Sequence, residues 1–95
     1  MAFVLAATWT AKAGEEERVR EALERLAGPS RAEPGCRFYQ PCVNPENSRV
    51  FLSFEIYDDA AAFEAHGASE HFQQIAVGEA FALLESRERA FYETL

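Results

Sequence analysis

The chain has 95 residues, 48% of them apolar and 13% aromatic, and its formal net charge is −7. A chain of this length forms one domain with a thin core, so residues 1–95 are treated as a single domain. The negative charge disfavours nucleic acid and anionic membrane surfaces as partners, because both attract Lys and Arg.

Hydrophobic periodicity divides the chain into strands and helices. Short apolar runs with β-branched and aromatic residues predict strands, and apolar residues at three- and four-residue spacing predict helices. The predicted elements are strand 2–10, helix 14–29, strand 36–43, turn 44–48, strand 49–57, helix 58–67, helix 69–84 and strand 85–95. Gly28 followed by Pro29 is a strong stop signal for the first helix. The order predicts an α+β, ferredoxin-like βαββαβ fold, an antiparallel sheet with its helices on one face.

Strand 49–57 alternates between two chemically different faces. One face is apolar throughout and is expected to pack against helices: Val50, Leu52, Phe54 and Ile56. The other face combines aromatic with polar side chains, as a pocket requires: Phe51, Ser53, Glu55 and Tyr57. Strict alternation in strand 36–43 also places Arg37 and Tyr39 on one face, where they could extend the pocket wall.

The two cysteines, Cys36 and Cys42, belong to this strand. In an extended segment their Cα atoms would be about 20 Å apart, whereas a disulfide needs less than about 7 Å. We therefore expect free thiols. The apolar N-terminus lacks a basic start and reaches Lys12 before a membrane-spanning length. These features predict a soluble, cytoplasmic protein.

Both histidines lie in FEAHGASEHFQQI, residues 63–75. His66 follows Phe63 by three residues and is expected to face inward, where its near-neutral titration would suit a proton acceptor; the alternative is a polar residue in a last helical turn. His71 follows a Ser69 cap in a first turn, which favours a neutral imidazole; the alternative is an exposed residue. Two histidines without a third ligand at an obvious spacing predict no metal site.

Several short motifs follow one another along the chain: Pro34-Gly35-Cys36, Asn44-Pro45, Glu55-Ile56-Tyr57, Asp59, Phe63, His66, Ser69, His71 and Phe72. In their order and spacing, the chain resembles the antibiotic biosynthesis monooxygenase (ABM) domain family over essentially its whole length. The resemblance implies a homodimer whose sheets pack face to face, a dimeric α/β barrel. It also implies a pocket between sheet and helices in each subunit.

Family members are known for cofactor-free oxidation of quinols and polycyclic aromatics, for haem degradation, and for isomerising or degrading small signalling sugars. The haem-degrading members use an Asn and a His, whose positions here hold Ala7 and about Ala76, so haem degradation is disfavoured. The resemblance therefore implies a cofactor-independent monooxygenase that oxidises a small aromatic or quinol-like molecule with O2. Two alternatives stay open: a non-oxidative isomerase of a small carbonyl compound, and a dimeric binding module without chemistry.

Within this hypothesis, the base is His66 or His71, and Glu55 orients His66. The expected substrate-binding residues are Phe51, Tyr57, Phe72, Phe38 or Tyr39, and Arg37. The alternative for Glu55 is a cross-strand salt bridge with Arg37 or Arg89. Trp9 is assigned to the core or to a dimer interface.

Overall fold

The computed structural model describes every residue from Met1 to Leu95. Its elements are β1 (Phe3–Ala11), α1 (Glu16–Arg31), β2 (Cys36–Asn44), β3 (Asn47–Tyr57), α2 (Ala60–Ala68), a π-helical segment (Phe72–Val77), a 3₁₀ turn (Ala80–Leu83) and β4 (Leu84–Glu93). The predicted α+β, ferredoxin-like fold is confirmed. None of the helices combines the length and the apolar composition needed to cross a bilayer.

The four strands form one antiparallel sheet in the order β2-β3-β1-β4. The central strand β1 fixes which side chains of its neighbours share a face. Ala7 lies opposite Ser53 on one side and Arg89 on the other, and Trp9 lies opposite Phe51 and Arg87. All of these side chains therefore belong to the face that carries the helices.

The core lies between this face and α1. Its eleven buried residues are Trp9, Ala11, Val19, Ala22, Leu23, Leu26, Phe51, Ile75, Ala76, Ala80 and Leu84. The single Trp9 is 7% exposed, and its ring meets Phe81 edge-on at 5.5 Å between centroids. Trp9 is thus a core residue, and it also lines the cavity next to α2 that is described below.

The helices cover the face of β3 that was not predicted to pack against them. The expectation that the apolar row packs against helices is wrong, because its four residues are partly exposed on the face without helices: Val50, Leu52, Phe54 and Ile56. The mixed row lies buried under the helices instead: Phe51, Ser53, Glu55 and Tyr57. On the open face Phe38 remains 47% exposed and contacts Phe54, with ring centroids 5.9 Å apart. The alternation in the sequence identified the residues of both rows correctly, but it did not show which row the helices cover.

Two helix ends also differ from their predicted positions. α1 continues through Gly28 and Pro29 to Arg31, because a proline in the last turn removes a single backbone donor and Arg31 is anchored by its Nε donating to the Tyr39 carbonyl at 2.9 Å. Helix 69–84 is wrong as one continuous helix, since Gly78 separates the π-helical segment from the 3₁₀ turn. A Cβ at residue 78 would lie 2.6 Å from the backbone oxygen of Gln74, so the close approach of the backbone there requires glycine.

Candidate active site

A cavity of about 250 Å³ lies between the helix-bearing face of the sheet and α2. It is lined by Leu5, Ala7, Trp9, Tyr39, Glu55, Phe63, His66, Gly67, Phe72, Phe81, Arg87 and Arg89. A larger depression of about 340 Å³ runs between α1 and β2 and is lined by neither histidine. The chemistry therefore points to the smaller cavity, where an aromatic wall surrounds a few polar groups.

A carboxylate from the loop after α1 holds both imidazoles. Glu33 Oε2 lies 2.8 Å from Nδ1 of His66 and 2.5 Å from Nε2 of His71. A carboxylate only accepts hydrogen bonds, so each imidazole directs an N–H group at Glu33. His66, 3% exposed, then keeps its Nε2 unprotonated when the ring is neutral. This nitrogen lies 3.8 Å from Oε1 of Glu55, another residue of the cavity wall.

The local sequence explains how the two histidines converge. His66 is in the last turn of α2, which Asp59 caps by accepting from the backbone N–H of Ala62 at 2.8 Å. After α2, the Ser69 hydroxyl donates to the His66 carbonyl at 2.6 Å and accepts from the N–H of Phe72 at 3.3 Å. One serine thus ends one helical segment and begins the next, which sets the spacing between the imidazoles.

Gly35 allows the loop that carries Glu33 to approach α2. A Cβ at this position would lie 2.4 Å from Cβ of Ala62, far inside van der Waals contact. The close approach therefore requires glycine, and it brings the Glu33 carboxylate within reach of the last turn of α2.

Glu55 is the second buried carboxyl group of the site, 3% exposed. Its Oε1 accepts from the Tyr57 hydroxyl at 2.5 Å and its Oε2 from the Ser53 hydroxyl at 2.7 Å. Burial raises the pKa of Glu55 above its ordinary value, and the two hydroxyl donors offset part of that effect. No arginine pairs with this group, so the alternative of a salt bridge with Arg37 or Arg89 is wrong.

Two buried phenols flank His66: Tyr39 lines the cavity, whereas Tyr57 lies behind its wall. Burial raises the pKa of Tyr57 far above its ordinary value, and the adjacent Glu55 carboxyl adds to the effect. Burial also raises the pKa of Tyr39. Both phenols therefore stay protonated at neutral pH, and the Tyr57 hydroxyl donates to Glu55. Their rings flank His66, with centroid distances of 5.4 Å for Tyr57 and 5.6 Å for Tyr39.

The raised pKa of Glu55 predicts how stability depends on pH. A carboxyl whose pKa rises on folding stabilises the fold below its ordinary pKa of about 4.3, and this contribution is lost as the pH rises through the raised value. Glu55→Gln stays neutral, so its free energy of unfolding should increase relative to that of the wild type across this window. Urea unfolding from about pH 4 to about pH 8 measures the difference. The control is Glu64→Gln, which replaces an exposed glutamate. If the difference in free energy of unfolding from the wild type does not change with pH for either variant, the raised pKa of Glu55 is contradicted.

Glu33, His66 and His71 also form a set that could hold a metal ion, since one ligand atom from each lies within 4.8 Å of the others. Two imidazoles and a carboxylate are common ligands of catalytic zinc. In the structure the same atoms are joined by hydrogen bonds, with the Glu33 oxygen as shared acceptor. A metal would have to take the place of the hydrogen on each of these two nitrogens. The three side chains therefore fit a hydrogen-bonded cluster at least as well as they fit a metal site.

The structure brings together part of the predicted site. His66, Glu55, Tyr39 and Phe72 line the cavity. The prediction that Glu55 orients His66 is wrong, because the two side chains are 3.8 Å apart and His66 forms its hydrogen bond with Glu33 instead. Tyr57 bonds to Glu55 behind the wall, and His71 bonds to Glu33 just outside it.

Three other residues lie elsewhere. Phe51 belongs to the core, and Phe38 lies on the open face. Arg37 falls where the pairing of β2 with β3 shifts by one residue, so alternation fails there and Arg37 does not share a cavity face with Tyr39. It forms a 2.6 Å ion pair with Asp58 instead.

Sequence reasoning missed Glu33 and the two arginines of β4. Glu33 directly precedes the Pro34-Gly35-Cys36 motif, and an acidic residue attached to a recognised turn was the one available signal. Arg87 and Arg89 enter the cavity through the pairing of β4 with β1, which the sequence of β4 alone does not reveal.

Comparison with known proteins agrees with this architecture. Residues 2–77 match the sequence profile described as antibiotic biosynthesis monooxygenase. The solved structure of PA3566 from Pseudomonas aeruginosa is 35% identical, with a TM-score of 0.92 over 99% of this chain and 94% of that chain. SO0527 from Shewanella oneidensis is 29% identical, with a TM-score of 0.91 over 98% and 90% of the two chains.

A further solved structure, named antibiotic biosynthesis monooxygenase, is 25% identical, with a TM-score of 0.90 over 100% of this chain and 99% of that chain. No curated protein matches the sequence. The matched profile extends from β1 through the π-helical segment and includes Glu33, His66 and His71. The chain belongs to the antibiotic biosynthesis monooxygenase family.

Proposed function

We propose that the protein is a cofactor-independent monooxygenase that oxidises a small electron-rich phenol or quinol with O2. The observation that carries the proposal is the orientation of His66: Glu33 holds its Nδ1, while its Nε2 is left for a ligand in the aromatic cavity. Family membership supports the same general chemistry.

His66 acts as the general base in this proposal. A base must lie within hydrogen-bond reach of the proton that it removes. Nε2 of His66 has no hydrogen-bond partner in the protein and lies 3.8 Å from Oε1 of Glu55, so it can accept from a hydroxyl group of a ligand in the cavity. When His66 takes that proton, the Glu33 carboxylate stabilises the resulting imidazolium through the bond to Nδ1. Glu33 is thus a positioning residue that also compensates charge in a buried site.

The substrate supplies all the electrons for the reaction. Its phenolate passes one electron to O2, and the resulting radical and superoxide combine to form a C–O bond at a ring carbon. The protonated His66 returns its proton to this peroxide. Loss of the ring C–H proton then breaks the O–O bond and releases water, which leaves a quinone carbonyl. One oxygen atom enters the product and one enters water, so no external reductant is required.

The cavity wall suits these intermediates. Phe63, Phe72 and Phe81 line the cavity and pack edge-on or tilted against neighbouring aromatic rings. An apolar wall excludes water, which strengthens the few polar contacts and protects a reactive peroxide. The small volume favours a flat molecule of one or two fused rings.

Oxygen uptake with a panel of phenols and hydroquinones tests the proposal. We expect one O2 consumed per quinone formed, no accumulation of hydrogen peroxide, and the same rate after treatment with a metal chelator. Loss of activity on chelation, with recovery on adding a divalent metal, would assign the Glu33–His66–His71 cluster to metal catalysis. Turnover of a carbonyl compound without oxygen would support an isomerase, and binding without turnover would leave a binding module.

The proposal includes a homodimer formed through the open faces of two sheets. This face presents the partly exposed apolar row of β3 together with Phe38. Apolar patches of this kind on small proteins mark interaction surfaces, and homodimer interfaces are more apolar than the remaining surface. Light scattering should give twice the mass of the chain, and a monomeric mass would rule out this assembly.

A further inference from the structure

Two arginines of β4 line the cavity without an acidic partner. Each of the other arginines has a polar partner: Arg18, Arg20, Arg25, Arg37 and Arg49 pair with carboxylates, and Arg31 donates to oxygens of β2. Arg87 and Arg89 have none, although the chain contains 16 acidic residues. Both side chains are exposed to solvent, so the lack of an ion pair does not by itself define a site. The indication of a site is that both arginines line the same cavity, where an external anion can reach them.

Aromatic rings support both guanidinium groups. Cζ of Arg87 lies 3.7 Å from the centroid of the Phe81 ring, and Cζ of Arg89 lies 5.3 Å from that of Phe91. Cation–π contacts of this kind orient a guanidinium group without using its N–H donors. The donors therefore remain available to a ligand, and they match a carboxylate in a two-point arrangement.

The register of the sheet separates these arginines from the proposed base. Ala7 of β1 has Arg89 on one side and Ser53 of β3 on the other. Adjacent strands lie about 4.8 Å apart, so β4 and β3 are separated by roughly 10 Å across β1. His66 lies at the β3 side, because its Nε2 is 3.8 Å from Oε1 of Glu55 in β3. The cavity thus has a cationic end at β4 and a proton-accepting end at His66, with the small Ala7 on the floor between them.

We infer that the natural ligand is a small hydroxyaromatic acid, a flat ring system with a hydroxyl group for His66 and a carboxylate for Arg87 and Arg89. The hydroxyl end rests on the proposed function, whereas the carboxylate end rests on the unpartnered arginines. About 250 Å³ lies just below the usual range for drug-sized ligands, roughly 300–1,000 Å³, which limits the ligand to about two fused rings. The carboxylate contributes affinity and orientation and takes no part in the oxidation.

Isothermal titration calorimetry with naphthol and with the corresponding hydroxynaphthoic acid tests this inference, because the pair differs in the carboxylate alone. We expect the acid to bind the wild type at least about tenfold more tightly, which corresponds to 1.4 kcal/mol. This preference should disappear in the double variant Arg87→Gln/Arg89→Gln. The matched control is Arg18→Gln, which removes an exposed arginine outside the cavity and should keep the full preference.

Equal affinity for both compounds in the wild type would overturn the inference, and so would a preference that survives in the double variant. If the double variant does not fold, the single variant Arg89→Gln should lose most of the preference while its thermal unfolding stays cooperative. The outcomes also separate this inference from the proposed function. Arginine-dependent binding without oxygen uptake would leave the anion site standing and reject the oxidation, whereas oxidation without a carboxylate preference would do the reverse.

Discussion

Replacement of His66 by Gln is expected to lower kcat/KM for oxidation of a hydroxyaromatic compound by about a hundredfold to ten-thousandfold, the usual contribution of a general base. Gln can still donate a hydrogen bond to Glu33, so the loop and α2 should keep their contact. It cannot accept a proton, and the phenolate that reacts with O2 would then form only through solvent. Initial rates of oxygen uptake measure the loss, and thermal unfolding shows that the fold is retained.

His71→Gln is the matched comparison for this experiment. His71 shares the Glu33 oxygen at 2.5 Å but does not line the cavity. We expect its replacement to cost about tenfold, at the lower end of the roughly tenfold to hundredfold range for an outer partner that orients a functional residue. A larger loss for His71→Gln than for His66→Gln would transfer the role of base to His71.

Glu33→Gln is expected to lower kcat by roughly tenfold to a hundredfold, as replacement of an orienting carboxylate typically does. The variant keeps the size of the side chain, and its amide oxygen can still accept from both imidazoles, because both bonds go to the single oxygen Oε2 in the wild type. It is neutral, however, so the imidazolium formed at His66 loses its counter-charge. Since Glu33 is not part of the cavity wall, KM should change little.

Separate measurement of kcat and KM distinguishes this role from a purely structural one. Replacing a charged acceptor by a neutral one also weakens both hydrogen bonds, and thermal unfolding would record any loss of stability. Glu33→Asp retains the charge on a shorter side chain and should recover part of the lost kcat. An effect confined to KM, or to stability alone, would contradict the positioning role.

The order of the elements could be predicted from the sequence because each signal is local. The apolar spacing of α1 identified Val19, Leu23 and Leu26, and all three are at most 2% exposed. The faces of β3 could not be assigned in this way. Burial of an apolar row is favourable, but the sequence does not specify whether the helices of the same chain or another surface bury it.

The candidate site was predictable where a residue's position within its own element decided the outcome. His66 was expected to face inward from its spacing to Phe63, and its 3% exposure confirms this. Glu33 was not found because it reaches His66 across 33 residues of sequence through a loop contact. Arg89 was not assigned to the cavity for the same reason, since strand pairing with β1 places it there.

The most direct test of the central claim is the ionisation of a bound phenol. A nitro-substituted naphthol reports its own ionisation, because its anion absorbs visible light and resists oxidation by O2. In the complex with the wild type, its ionisation midpoint should shift to lower pH relative to free solution, and in the complex with His66→Gln this shift should be lost. The same shift in both complexes, or none in the wild type, would show that His66 does not take the proton.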